Sequence, residues 1–177
     1  MSPAQRQSSN TIEESGAVKS VNVSSSCRLG ESIARVAAVG DVIGLMGPIG
    51  IGKTVFARGF IRFLSQHDEI VPSPTYTLMQ AYETGAIPVY HYDLYRIQSY
   101  SEIEELGFDA AVAGGIVLIE WPESIGALGG VSRLNISFEA CKDGSSNIRI
   151  ISFDPGLAWQ KRLNNAIKSF IEESHAS

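Results

Sequence analysis

One segment restricts what this chain can fold into more than any other: the run GPIGIGKT at positions 47–54. It fits the pattern G-x-x-x-x-G-K-[ST], in which glycines let successive backbone N–H groups turn toward phosphate oxygens. An almost uninterrupted apolar run, 42–46, precedes it, and apolar residues at helical spacing follow over 53–64. The N-terminus of that helix adds a partial positive charge. The motif therefore predicts a phosphate-binding loop between a buried strand and a helix.

The side chains that close this loop predict its ligand. Lys53 supplies a point charge for the β- and γ-phosphates, and the Thr54 hydroxyl is a ligand for Mg²⁺. The neighbouring loop and helix positions, which contact a nucleotide mainly through their backbone, are Gly50, Ile51, Gly52 and Val55. These residues predict a nucleotide site that binds its ligand together with magnesium.

A magnesium ion beside such a loop needs a carboxylate, usually at the end of a neighbouring buried strand. Glu120 follows the apolar run 116–119 and is the first choice for the metal, while Asp93 follows the strand-like segment 89–92. Either acid could instead be an ordinary strand-end residue in solvent. His91 alternates with Asp93 on one strand face and either orients that carboxylate or is a buried histidine with its own partner. Thr75, in the segment 73–75, either contacts nucleotide or metal or only turns the chain into a strand.

The order of apolar patterns predicts the fold class. Strands alternate with helices in the first two-thirds of the chain, and a strand pair and a helix complete it, which is an α/β pattern with a mixed central sheet flanked by helices. With the phosphate loop, this is the three-layer P-loop NTPase fold. The predicted elements are an edge strand at 21–23, a helix at 30–39, a hairpin around Thr84-Gly85, a capping box at Ser101 and Glu104, a turn at Asp143-Gly144 and a last helix that begins at Asp154-Pro155.

Domain organisation and charge exclude several classes of protein. Residues 1–20, rich in Ser, Gln and Asn, are predicted to be a disordered tail, and 21–177 a single P-loop ATPase domain. No apolar run approaches the length of a membrane span. The 19 Asp and Glu against 14 Lys and Arg give a net charge of -5, which argues against a protein that grips nucleic acid by itself. Two distant cysteines, Cys27 and Cys141, predict reduced thiols in a cytosolic protein.

Five blocks, taken in order and spacing, resemble one known family. They are GPIGIGKT at 47–54, Arg58-Gly59, SPTYTL at 73–78, HYDLYR at 91–96 and IEWPE at 119–123. Together they resemble the TsaE family, also called YjeE, the small P-loop ATPase of bacterial tRNA threonylcarbamoyladenosine synthesis. The resemblance covers about residues 26–153, and its specificity comes from the combination of blocks.

The resemblance implies a cytoplasmic protein that binds ATP and Mg²⁺ and hydrolyses ATP weakly when alone. It implies TsaD-like and TsaB-like partners, with tRNA contacted indirectly through that complex. The family's phosphate-loop residues fall on Lys53 and Thr54, and its magnesium carboxylate on Glu120. The aspartate of its HYDLYR block, which is important for activity, falls on Asp93, and Asp93, Lys53 and Glu120 are the candidate catalytic residues. Further family positions fall on Thr75, on Trp121 and, for a nucleotide contact, on Ser26, where the family often has Thr.

The phosphate loop departs from the family's usual GDLGAGKT at two positions. Pro48 replaces an acid at a position that need not donate a hydrogen bond, and the bulkier Ile51 replaces a small residue. Two other classes of function remain open. A small-metabolite kinase usually brings an Arg-rich lid, whereas this chain has only the isolated Arg96 and Arg133. A nucleotide-gated binding module would bind ATP without turnover. A GTPase is disfavoured because no Asn-Lys-x-Asp motif occurs.

Overall fold

A computed structural model describes residues 11–12, 18–20, 22–126, 133–141 and 148–175. One sheet of eight strands runs through these residues in the order β1-β2-β8-β7-β3-β6-β5-β4. The strands are β1 Thr11–Ile12, β2 Val18–Ser20, β3 Val42–Met46, β4 Met79–Tyr82, β5 Val89–Asp93, β6 Ile116–Glu120, β7 Arg133–Ala140 and β8 Arg149–Pro155. The helices are α1 Val23–Ala34, α2 Lys53–Ser65, α3 Tyr100–Glu105, α4 Phe108–Gly114 and α5 Gln160–His175. A 3-10 turn, Pro122–Ile125, follows β6.

The central strands are apolar on both faces because helices cover the sheet on both sides. Ile43 and Leu118 belong to a core shared with α1, α2 and α5, whereas Val42 and Val117 belong to a second core shared with α3 and α4. This alternation follows the two-residue period of a strand. The predicted α/β fold, with a mixed central sheet flanked by helices, is confirmed.

Parallel pairing brings three strand ends to one edge of the sheet. β3 is parallel to both β6 and β7, and β5 is parallel to β6; β4 and β8 are antiparallel to their neighbours. The register places Asp93 opposite Glu120, and Glu120 opposite Leu45 at the end of β3. The loop after β3 therefore begins beside both acids, as expected for ligand sites at the carboxyl ends of parallel strands.

Helices α1 and α2 pack backbone to backbone because each has a glycine at the contact. A Cβ on Gly59 would lie 2.0 Å from the Cys27 carbonyl oxygen, and one on Gly30 would lie 2.3 Å from the Phe56 carbonyl oxygen. Neither position tolerates a side chain without separating the helices, because real Cβ atoms do not approach a carbonyl so closely. The two glycines thus hold the first turns of α1 close to the helix that follows the phosphate loop.

An ion pair connects α5 to the amino end of β3, where Asp41 directly precedes the strand. Arg162 donates through both terminal nitrogens to Asp41, at 2.7 and 2.8 Å, and it also donates to the Val36 carbonyl. The hydrogen bond to Asp41 raises the pKa of Arg162. Its guanidinium lies 4.3 Å from the centre of the Trp159 ring, which is fully buried. Bidentate geometry and a stacked aromatic favour arginine over lysine here.

Several predicted bounds were wrong for local reasons. The first helix begins at Val23 rather than near Gly30, because the Asn22 side chain accepts from the Ser25 N–H and caps it; Val23 is therefore helical, not part of an edge strand. Asp154 and Pro155 end β8 instead of starting the last helix, which begins at Gln160. Their pairing with β7 overrides the capping signal.

The predicted capping box at Ser101 and Glu104 is wrong, because α3 begins at Tyr100 with Ser99 as its N-cap residue. The Ser99 hydroxyl makes no capping hydrogen bond to the helix backbone and instead donates to Glu102 Oε1 at 2.9 Å. The hairpin formed by β4 and β5 is confirmed, although β4 begins at Met79 rather than Thr75. The predicted turn at Asp143-Gly144 lies outside the described residues.

Part of the predicted tail belongs to the sheet. Val18–Ser20 pairs antiparallel with β8, and Thr11–Ile12 pairs with Val18–Ser20 in turn. Val18 is fully buried in the first core and holds this segment against the sheet. The residues around it in the sequence are mostly polar, so no apolar pattern predicted this contact. Residues 1–10 and 13–17 lie outside the described part of the chain, and the boundary between tail and domain stays a prediction.

Among the described residues, none of the helices combines the length and the apolar character that crossing a bilayer would require.

The glycine contact between α1 and α2 gives a stability test. We expect Gly59→Ala to lower the free energy of unfolding by about 2 kcal/mol, or roughly 4–8 °C in Tm, because the new methyl group meets the Cys27 carbonyl. Gly114→Ala is the matched control, since its Cβ would meet only the Tyr90 hydroxyl at 4.0 Å. Thermal unfolding followed by circular dichroism measures both. Equal Tm values for the two variants would contradict the proposed close contact.

Candidate nucleotide site

The loop between β3 and α2 has the backbone that a phosphate cradle needs. The loop contains Gly47, Gly50 and Gly52, whose φ values are 131°, 75° and 118°. Residues other than glycine rarely adopt this region of backbone conformation. A Cβ on Gly50 or Gly52 would meet nothing within 4 Å, so glycine is needed there for the backbone conformation and not for close packing. A Cβ on Gly47 would lie 2.5 Å from the Phe138 carbonyl oxygen, so this glycine also serves close packing.

Lys53 is folded back onto the loop that it closes. Its Nζ donates to the carbonyl oxygens of Gly47 at 2.6 Å and Pro48 at 3.1 Å, and it lies 3.7 Å from the centre of the Trp121 ring. Only 4% of Lys53 is exposed. Burial lowers the pKa of Lys53, while Glu120, Glu123 and Asp93 act against this effect. Among the described residues no carboxylate lies within ion-pair distance of Nζ, so an anionic ligand would provide the missing contact.

Glu120 connects three elements of the fold. Its Oε1 accepts from the Thr54 hydroxyl on α2 at 2.8 Å and lies 3.0 Å from His91 Nε2 on β5. Glu120 is 3% exposed and His91 is fully buried. The predicted alternative in which His91 orients Asp93 is wrong, because its ring reaches the neighbouring strand and bonds to Glu120.

The donor set of Thr54 and Glu120 fits magnesium. A hydroxyl and a carboxylate are hard oxygen ligands, and Mg²⁺ is usually held by one or two such groups together with phosphate oxygens and water. Among the described residues no group of three His, Cys, Asp or Glu could hold a metal ion. A cation at this place would therefore take part of its coordination from a bound nucleotide.

Asp93 organises the segment that follows α2. Its Oδ2 accepts from the hydroxyls of Ser73 at 3.0 Å and Thr75 at 2.7 Å, and its Oδ1 accepts from the Tyr95 backbone N–H at 3.0 Å. Ser73 and Thr75 also contact each other at 2.9 Å. A carboxylate that is 3% exposed is thus satisfied by three donors, two of which are hydroxyls of the segment 73–75.

Two cavities lie on either side of the loop. The larger, of about 300 Å³, is lined by Lys53, Thr54, Thr75, Asp93, Glu120 and Trp121 among others. The smaller, of about 80 Å³, is lined by Asn22, Val23, Ser26, Gly50, Ile51, Gly52, Val55 and Arg149. Gly50 borders both. The structure thus brings the predicted phosphate, metal and catalytic residues together at one cavity and the remaining predicted nucleotide contacts at the other.

Three residues that line the cavities were not predicted as site residues. Arg149, on β8, donates from Nε to the Ile51 carbonyl oxygen at 2.9 Å and lines the smaller cavity. No local pattern marks it, because 98 residues separate the two partners. The exposed loop-tip residue Ile49 lines the larger cavity, as does Tyr95 beyond Asp93. Tyr95 could have been predicted, since it lies within the block HYDLYR that resembles the family.

Fold and site together define a nucleotide-binding protein of the P-loop class. Residues 20–148 match the family model described as "Threonylcarbamoyl adenosine biosynthesis protein TsaE". Because that match covers more than two thirds of the 177 residues, the chain belongs to the TsaE family. The family resemblance predicted from the five sequence blocks is confirmed.

Individual relatives agree with this assignment. A protein of Rickettsia conorii named "tRNA threonylcarbamoyladenosine biosynthesis protein TsaE" is 36% identical over 125 residues, which is 71% of each chain. The protein of the same name from Bacillus subtilis is 36% identical over 131 residues, covering 73% of this chain and 81% of that one. The crystal structure of Bacillus subtilis YdiB superimposes with a TM-score of 0.68 at 27% identity, over 86% of this chain and 94% of that chain.

The buried charge of Lys53 predicts opposite effects on binding and stability. Since its pKa is lowered, the charge costs folding stability at pH 7, and that cost declines as pH rises through the lowered pKa. We expect Lys53→Met to raise the Tm of the nucleotide-free protein by roughly 2–4 °C, about 1 kcal/mol, while abolishing nucleotide binding. Differential scanning calorimetry and titration calorimetry measure the two effects. Lys161→Met, at an exposed position on α5, is the control, and a lower Tm for Lys53→Met than for this control would contradict the prediction.

Proposed function

We propose that this chain is the ATP-binding and ATP-hydrolysing component of the machinery that makes threonylcarbamoyladenosine in tRNA. The observation that carries the ATPase part is the joint presence of Lys53, Thr54, Glu120 and Asp93 at one cavity beside the phosphate loop. The names of the relatives support the pathway. In this proposal ATP hydrolysis performs conformational work on a partner complex.

The loop geometry supports the following binding roles. Backbone N–H groups of Gly50, Ile51 and Gly52 would donate to the phosphates, Ile51 in exchange for the Pro48 carbonyl that it contacts at 3.3 Å, and Lys53 would exchange its two carbonyl acceptors for phosphate oxygens. Thr54 and Glu120 hold Mg²⁺, which, when bound, neutralises charge on the β- and γ-phosphates. The residues around the smaller cavity, Ser26 and Val55, contact the rest of the nucleotide. Arg149 keeps the loop in place through the Ile51 carbonyl.

Asp93 is the proposed catalytic residue. It lies beside Glu120 in the sheet register, at the cavity where the γ-phosphate would lie, and it can orient the attacking water. It also accepts the hydroxyls of Ser73 and Thr75, so a change at Asp93 is transmitted to the segment 73–75. Positioning and charge neutralisation supply most of the rate enhancement in reactions of this type.

Partner proteins have a supporting surface at the mouth of the larger cavity. Ile49 and Tyr95, which line this cavity, expose 73% and 53% of their surface, and Tyr76, which follows the lining residue Thr75 in sequence, exposes 89%. Exposed apolar and aromatic side chains grouped around a cavity are a feature of interaction sites. We propose that TsaD-like and TsaB-like proteins are the partners and that tRNA is contacted through them. The net charge of -5 supports indirect contact with tRNA, since direct binding of nucleic acid needs a basic surface. The proposed location is the cytoplasm.

Replacement of Asp93 tests the ATPase part. We expect Asp93→Asn to lower kcat for ATP hydrolysis by about 100-fold or more while the Kd for ATP stays within about threefold, because the amide keeps an acceptor but loses the charge. Asp154→Asn, at an exposed position on β8, is the control. Phosphate release in single-turnover reactions, with and without the partner proteins, is the measurement. ATP that is bound but never hydrolysed, even with partners, would favour a nucleotide-gated module; transfer to a metabolite would favour a kinase.

Depletion in cells tests the pathway. We expect loss of the protein to reduce threonylcarbamoyladenosine in bulk tRNA, with recovery by the wild-type chain and not by Lys53→Ala, which cannot bind phosphates. Nucleoside analysis of hydrolysed tRNA by mass spectrometry measures the modification. Normal levels after depletion would refute the tRNA-modification function while leaving the ATPase assignment intact.

A further inference from the structure

His91 is an unusual residue for its position. It lies on the central part of β5 and is fully buried, where its register partner on β6 is Leu118. Its Nδ1 has no hydrogen-bond partner among the described residues. A buried nitrogen without a partner costs about 1–3 kcal/mol, whereas an aliphatic residue would fill the same place without that cost. An unsatisfied buried polar atom of this kind calls for a compensating role.

The compensating contact is at Nε2. Carboxylate oxygens accept hydrogen bonds, so the Nε2 atom that lies 3.0 Å from Glu120 Oε1 is assigned as the donor, while Nδ1 has no partner among the described residues. The same Oε1 accepts from Thr54 at 2.8 Å. Glu120 is therefore held by donors from two different elements, α2 and β5, while its own backbone belongs to β6.

We propose that His91 is a positioning residue of the magnesium site: its Nε2–H fixes the Glu120 carboxylate against the Thr54 hydroxyl, so that the ligand pair is formed before the cation and nucleotide arrive. Without this donor the Glu120 side chain gains alternative rotamers, and ordering it again on binding reduces the affinity for the metal. Residues that orient metal ligands typically change metal affinity by 10- to 100-fold when replaced. The inference rests on the proposed binding of Mg²⁺ with ATP.

The test compares three substitutions that share burial and differ in reach. Gln places an amide N–H near the Nε2 position, Asn is one methylene too short to reach Glu120, and Leu removes the donor. ADP binding to the full chain is measured by titration calorimetry at a series of Mg²⁺ concentrations and in EDTA. We expect His91→Leu and His91→Asn to raise the Mg²⁺ concentration for half-maximal enhancement of ADP binding by about tenfold or more. We expect His91→Gln to stay within about threefold, and Kd in EDTA to be the same for all.

Controls separate positioning from a general loss of packing. His67→Leu removes an exposed histidine and is expected to change nothing. Tm is recorded for every variant, and if His91→Leu does not fold, the comparison of the Gln and Asn variants decides. An unchanged Mg²⁺ requirement in the folded Leu or Asn variant overturns the inference. Equal shifts for Gln, Asn and Leu also overturn it, because they indicate packing alone.

Failure of the inference can be told apart from failure of the proposed function. If the wild-type chain binds ADP with Mg²⁺ dependence and the His91 variants do not differ from it, only the role of His91 is wrong. If wild-type binding shows no dependence on Mg²⁺, both the magnesium part of the proposed function and the role of His91 are wrong.

Discussion

The hydrogen bond from Thr54 to Glu120 is the contact on which the rest of the site depends. It joins the first turn of the helix after the phosphate loop to the end of a neighbouring strand, across 66 residues of sequence. The two partners can meet only because β3 and β6 are parallel neighbours whose carboxyl ends lie at the same edge. The parallel pairing of β5 with β6 then adds Asp93 and His91 to the same place. Three strands and one helix are thus required before any ligand atom is in position.

The packing of α1 against α2 extends this arrangement to the other side of the loop. Gly30 and Gly59 let the two backbones approach, so Ser26 in α1 comes to lie at the smaller cavity beside Val55 in α2. Arg149 closes that cavity from β8 and holds the Ile51 carbonyl. The loop is therefore supported by contacts with two elements that come from opposite ends of the described chain, although the motif itself is only eight residues long.

Prediction from the sequence succeeded where a short-range pattern and a physical requirement coincide. The buried strands β3 and β6, the glycine-rich loop between β3 and α2 and the proximity of Glu120 to Thr54 follow from apolar runs and from the loop motif. The roles of these residues toward phosphate and magnesium stay predictions. Helix ends were less predictable, because Asn22 rather than a glycine further along sets the start of α1, and strand pairing extends β8 through Asp154 and Pro155. Contacts between distant segments, such as Arg149 with Ile51 or His91 with Glu120, leave no local pattern and required the register of the sheet.

The position of Lys53 has a consequence for how the protein exchanges its ligand. Its ammonium group has two carbonyl acceptors and an aromatic face as partners, and none of these three groups carries a negative charge. If a phosphate group binds at this loop as proposed, its oxygens compete with these contacts for the ammonium group. The contacts that Lys53 gives up therefore lower its net contribution to nucleotide affinity, and in the proposed function this favours reversible binding.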